Sequence, residues 1–132
     1  MRLLLDTHVW IWSHLEPKYL SRKAARALAA PGNQLWLSPV SLWEFYALVE
    51  KGRVLLQEGD SERWLDAAFQ KAPLQEAPLT HAIVRAGRRL QLPHRDPADR
   101  FIAATAQVLN LTLVTADVRL LRTEQLRTLA AR

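Results

Sequence analysis

Four carboxylates in this chain sit where a solvated acid is not expected. Asp6 stops the apolar run Leu3-Leu4-Leu5. A run of that kind, closed by a charge, reads as a strand buried on both faces with its carboxylate at the carboxyl end. In an open parallel sheet that end is where ligands lie. Glu44 has Val40, Ser41, Ala47 and Leu48 as its neighbours at three and four residues, a largely apolar stripe for a helix. Asp99 is followed one turn on by Ile102 and Ala103 and two turns on by Ala106. Asp117 closes the segment Thr112–Thr115 after one alanine. A lone carboxylate buried on such a surface costs on the order of several kcal/mol unless a cation compensates. Singly, each acid has an ordinary explanation: a solvated helix residue for Glu44 and Asp99, a cap or turn for Asp117. Asp96, directly before Pro97, reads as a helix cap and is left outside the group.

The case rests on the four together. Carboxylates gathered in one crevice cannot all stay ionised without cations. The chain has no cysteine, and its histidines His8, His14, His81 and His94 lack the spacing of a metal box. Oxygen donors alone suit Mg²⁺ or Mn²⁺. Such ions usually serve phosphoryl chemistry, generating hydroxide and stabilising the leaving oxygen.

The intervening segments must bring these acids together. Leu3–Leu5 is the first strand and Thr7–Leu15 a short helix or turn. Ser21 caps a helix over Arg22–Ala30, which Pro31-Gly32 stops. Gln34–Leu37 is a strand, and Ser38-Pro39 starts a helix that runs to about Lys51 and ends at Gly52. Asp60 or Ser61 opens a helix to Lys71. Leu74–Ala77 is a third strand, and Thr80 caps a helix from His81 to about Leu90. Gln91–Arg95 is a loop, Asp96-Pro97 begins a helix to Leu109, and Thr112–Thr115 is the fourth strand. A last strand falls near Thr128–Ala130. The alternation gives one α/β domain over residues 1–132, a parallel sheet with helices on both faces. If the first and fourth strands are neighbours, all four acids face one crevice.

Composition narrows the partners. The net charge is +5, from 18 basic and 13 acidic residues, which suits a phosphate-bearing strand held by positive charge and a metal held by clustered acids. Arg85, Arg88, Arg89, Arg95 and Arg100 form the densest basic stretch and are read as RNA phosphate contacts. The absence of cysteine and of an apolar leader points to the cytoplasm. The longest uncharged stretch, Phe101–Ala116, carries too many polar residues for a membrane span. Apolar content of 49% and five tryptophans suggest a homodimer that buries aromatics such as Trp12, Tyr46 or Trp64. Dispersed glycines exclude a nucleotide-binding loop. A phosphoryl-accepting receiver domain would need an acid where Thr7 stands and one after the third strand, where Pro78 stands. A haloacid-dehalogenase-like phosphatase would need an aspartate at His8.

At this length and spacing the sequence resembles PIN-domain ribonucleases, more narrowly the VapC-type toxins of bacterial toxin–antitoxin pairs. The pieces are Leu3-Leu4-Leu5-Asp6-Thr7-His8, Ser38-Pro39-Val40-Ser41-Leu42-Trp43-Glu44, Leu92-Pro93-His94-Arg95-Asp96-Pro97-Ala98-Asp99-Arg100 and Leu113-Val114-Thr115-Ala116-Asp117. The resemblance implies a three-layer α/β/α sandwich and Mg²⁺- or Mn²⁺-dependent cleavage of RNA that inhibits translation. It implies a partner antitoxin and a homodimer. It carries the metal-binding acids onto Asp6, Glu44, Asp99 and Asp117, with Thr7 and Thr115 as supporting hydroxyls. The chain departs from the usual pattern at Ala98, where phenylalanine is common, and at Leu48, where a base is common; neither removes a ligand. The rival expectation is a catalytically weak PIN-like module that binds RNA or antitoxin.

Overall fold

The computed structural model describes residues 1–57 and 59–132. Five strands and seven α-helices alternate among them: β1 (Arg2–Leu5), α1 (Thr7–Leu15), α2 (Arg22–Ala29), β2 (Gln34–Leu37), α3 (Pro39–Glu50), α4 (Ser61–Lys71), β3 (Gln75–Glu76), α5 (His81–Arg89), α6 (Pro97–Val108), β4 (Thr112–Thr115), α7 (Val118–Leu121) and β5 (Thr128–Ala130). A single 3-10 turn, Pro17–Tyr19, follows α1.

Side-chain oxygens start most of these helices. Ser21 accepts from Ala24 N, Ser38 from Val40 N, Asp60 from Arg63 N, Thr80 from Ile83 N and Asp96 from Ala98 N. Each satisfies an amide that has no partner inside its helix. After α6 the chain turns through Asn110 in the left-handed region, at φ 57°, a conformation asparagine tolerates better than most residues. The third strand is shorter than expected, two residues, because it sits at the sheet edge with both residues exposed. The 3-10 turn and α7 were not foreseen.

All strand pairs are parallel, and the order across the sheet is β3-β2-β1-β4-β5. Chain order therefore runs one way from β1 to β3 and the other way from β4 to β5. The reversal falls between β1 and β4, whose carboxyl ends bound the crevice where such sheets take ligands.

The strand alternation explains the three layers. Leu3 and Leu5 face one side of the sheet with Val9, Trp10, Phe45 and Leu65 from α1, α3 and α4. Leu4 faces the other with Ile83, Ile102 and Leu120 from α5, α6 and α7. Both faces of β1 are thus covered, which is why its sequence is continuously apolar. The first layer is aromatic: Trp10 stacks on Phe69, and Phe45 on Trp64 at 4.9 Å between centroids. The second is built on alanines of α6, Ala103, Ala104 and Ala106, which let α5 and α6 approach closely; Gly87 lies against Ala104.

The aromatics expected at a dimer surface, Trp12, Tyr46 and Trp64, are half-buried, each with a partner inside the protomer. Trp64 is half-buried in the aromatic layer, Trp12 packs edge-on to Tyr19, and the Tyr46 hydroxyl donates to Glu62. Among the described residues the most exposed aromatic is Trp43 on α3, with 76% of its surface accessible.

Candidate functional site

Asp6 directly follows β1 and is the N-cap of α1. Its amide continues the sheet by donating to Val114 O at 3.0 Å. One carboxylate oxygen accepts from Thr7 N at 2.9 Å and the other from the Thr115 hydroxyl at 2.7 Å. Thr115 Oγ1 in turn accepts from Asp117 N at 3.0 Å. One buried hydroxyl at the end of β4 therefore ties the first strand-end acid to the other.

Thr7 does the equivalent on the opposite side. Its buried hydroxyl donates to Glu44 Oε1 at 2.5 Å and lies 2.9 Å from Ser41 Oγ, one turn back on α3. Asp117 is the N-cap of α7, with Oδ1 accepting from Arg119 N at 2.9 Å and Oδ2 2.7 Å from His94 Nε2. A polar chain thus runs across the crevice from Glu44 through Thr7, Asp6, Thr115 and Asp117 to His94. Asp99 stands in the first turn of α6, half-buried, and its carboxylate takes no hydrogen bond among the described residues.

The charges feel one another. Burial raises the Glu44 carboxyl above its ordinary value; the Thr7 hydroxyl pulls it partly back, and Asp6, Asp99 and Asp96 push it further up. Burial also raises Asp99, with Asp96, Asp6 and Asp117 adding to the effect and His94 opposing it. Asp117 goes the other way. Burial alone would raise it, but the His94 bond, the Arg119 amide and the neighbouring His94 and Arg119 side chains hold it below the ordinary value. Asp96, set aside as a cap, is a cap; it is also a source of the field on Glu44 and Asp99.

The acids share an end of the sheet without forming a finished cage. Among the described residues, no three acids or histidines converge on one point. The reason is local: Asp6, Glu44 and Asp117 each turn to a hydroxyl, amide or imidazole of their own. The donor set is oxygen, hard and anionic, which fits Mg²⁺ or Mn²⁺. Mg²⁺ keeps several waters and needs only one or two carboxylates besides substrate phosphate.

Of the basic residues, Arg85, Arg88 and Arg89 on α5 and Arg95 in the loop before α6 are exposed. Arg100 is not available in the same way. Its guanidinium donates to the carbonyls of Gly87, Leu90, Leu92 and His94. Those bonds make Arg100 a clamp on the α5–α6 connection, and the reading of it as a phosphate contact is corrected accordingly. Two participants escaped sequence reasoning: Ser41, which has no signal beyond its helical spacing from Glu44, and His94, whose partner lies 23 residues away.

A wide groove lies elsewhere. About 950 Å³ opens between α1, the 3-10 turn, the α3–α4 connection and α4, lined in part by Trp12, His14, Tyr19, Leu48, Arg53 and Trp64. None of the four acids lines it, so its size does not make it the reacting site.

The sequence pattern of the PIN domain matches residues 3–126. The chain belongs to the PIN-domain family. It is 33% identical over 121 residues to the ribonuclease VapC22 of Mycobacterium tuberculosis, covering 89% of this chain and 88% of that protein. Its fold is similar to that in the VapBC2 complex of Rickettsia felis bound to a promoter DNA fragment, with a TM-score of 0.72, 19% identity and full coverage of both chains. The DNA-bound VapBC complex of Salmonella typhimurium gives 0.69 at 19% identity over 98% of each chain. A toxin–antitoxin complex of Klebsiella pneumoniae gives 0.65 at 20% identity over 94% of each. The five-stranded parallel sheet described above is therefore a PIN-domain sheet, and its carboxyl end carries the acids.

Proposed function

We propose that this PIN domain is a Mg²⁺- or Mn²⁺-dependent endoribonuclease, the toxin of a toxin–antitoxin pair, which inhibits translation by cutting RNA. The observation that carries the reading is Asp99: a half-buried carboxylate, raised by its acidic neighbours, with no hydrogen-bond partner among the described residues. A carboxylate crowded by other acids in this way is stabilised when a cation joins them. Asp6, Glu44, Asp99 and Asp117 would hold the metal, which when bound supplies a hydroxide nucleophile and neutralises charge on the phosphate. Thr7 keeps Glu44 oriented and Thr115 keeps Asp6 oriented. Arg85, Arg88, Arg89 and Arg95 offer exposed charge to the RNA backbone.

The partner readings belong to the same proposal. The similar folds come from toxin–antitoxin complexes, and an antitoxin segment would lie in the groove beside α1 and α4, whose lining mixes Ile11, Leu48 and Trp64 with Arg53 and Arg63. A homodimer would bury Trp43. The rival, a catalytically weak module that binds RNA or antitoxin, draws on the open arrangement of the acids. Cleavage of RNA by purified protein, first with Mg²⁺ or Mn²⁺ and then with chelator, decides between them. Metal-dependent cutting that chelator abolishes supports the nuclease. Cutting that survives chelator, or none with either metal, overturns it.

A further inference from the structure

We infer that His94 is a positioning residue: it fixes the Asp117 carboxylate for the metal site, and it is itself seated by the Arg100 clamp. This rests on the nuclease reading above. The connection between α5 and α6 has no helix or strand. Arg100 holds it, with Nε on Gly87 O at 2.9 Å, Nη1 on Leu92 O at 3.2 Å and on His94 O at 2.9 Å, and Nη2 on Leu90 O. A planar guanidinium presents its donors in a fixed fork, so these carbonyls are set relative to one another as well as to α6. The backbone of His94 is thereby placed from the residue next to Asp99.

The His94 ring is 3% exposed. Nδ1 has no partner among the described residues, so the bond from Nε2 to Asp117 is the polar anchor of the ring. A carboxylate oxygen accepts, so in this 2.7 Å bond Nε2 carries the proton and donates. The other oxygen is pinned by Arg119 N. A helix cap needs only that second bond. The imidazole adds a constraint that capping does not require, and it is bought with an unpaired buried nitrogen. With a fixed donor on each oxygen, the carboxylate plane is locked while lone pairs remain for a cation. Ligating carboxylates are commonly held this way by an outer group.

Mn²⁺ binding by the metal-free protein, read by electron paramagnetic resonance, tests the inference in the parent, His94→Phe and His94→Gln. Phenylalanine keeps the ring shape without the donor; glutamine keeps an N–H at about the reach of Nε2. His94→Phe is expected to weaken Mn²⁺ binding about tenfold or more. His94→Gln is expected to recover most of that loss. Full affinity in His94→Phe, or equal loss in both variants, overturns the role of His94. If thermal melting shows that His94→Phe does not fold, His94→Asn replaces it, since its amide stops short of Asp117, with the same expectation. A parent that binds no Mn²⁺ overturns the metal reading instead, which keeps the two failures apart.

Discussion

At the ends of β1 and β4, Asp6 and Asp117 each cap the helix that follows them and have both carboxylate oxygens hydrogen-bonded. On α3 and α6, Glu44 and Asp99 cap nothing; one has a single hydroxyl partner and the other has none among the described residues. The electrostatics follow: burial and like charge raise the helix acids, while a cationic and amide environment lowers Asp117. The strand-end acids have a structural use even without chemistry. The helix acids cost the metal-free fold something, and that cost is the better sign of function.

The contrast breaks most visibly at Asp99. Asp99→Asn should lower RNA cleavage about a hundredfold or more, as when a major transition-state stabiliser is lost, yet melt no lower than the parent at neutral pH without metal. The sign follows from the raised carboxyl: ionising it costs the folded state, and the cost is full above its folded pKa. As pH falls through that value, the folded parent takes up the proton first and gains stability, so the gap to Asp99→Asn should close. Melting curves from neutral to mildly acidic pH check this, and a gap that widens on acidification would contradict it.

Asp6 should behave in the opposite way. Asp6→Ala removes the α1 cap together with the acceptor for the Thr115 hydroxyl and should cost about 1 kcal/mol or more in denaturant titration, whereas Asp6→Asn keeps one acceptor oxygen for the cap and should cost less. Equal losses would mean the cap contributes nothing. The smallest effect is expected at Asp96→Asn: stability within about 0.5 kcal/mol of the parent and most cleavage retained. A loss matching that of Asp99→Asn would move Asp96 from a background charge into the site itself.

Local signals made much of this legible. Ser21, Ser38, Asp60, Thr80 and Asp96 all cap the helices their positions suggested, because a cap is a contact over two or three residues. The apolar run of β1 announced a central strand, and the apolar company of Glu44 and Asp99 announced acids out of place. What stayed hidden depends on partners distant in sequence. Nothing near His94 marks Asp117 as its partner, and nothing near Arg100 says that its donors face carbonyls rather than solvent. Asp117 read alone as a cap is one, and the same residue, grouped in the sequence with the other acids, also raises Asp99. Of the aromatics named for an interface, Tyr46 and Trp64 also pack against the layer that covers the sheet.

The central place of β1 bears on the order in which the protein is made. Arg2–Leu5 is made before β4, and the Thr115 hydroxyl that grips Asp6 follows it 109 residues behind. Until Thr112–Thr115 is synthesised, β1 has β2 along one edge and nothing along the other. A nascent chain can already contain Asp6, Glu44 and Asp99 and still lack the strand that closes the crevice. Contacts this remote in sequence form late. Closure of the crevice would then wait for β4, and fragments that stop short of Thr112–Thr115 would leave it open.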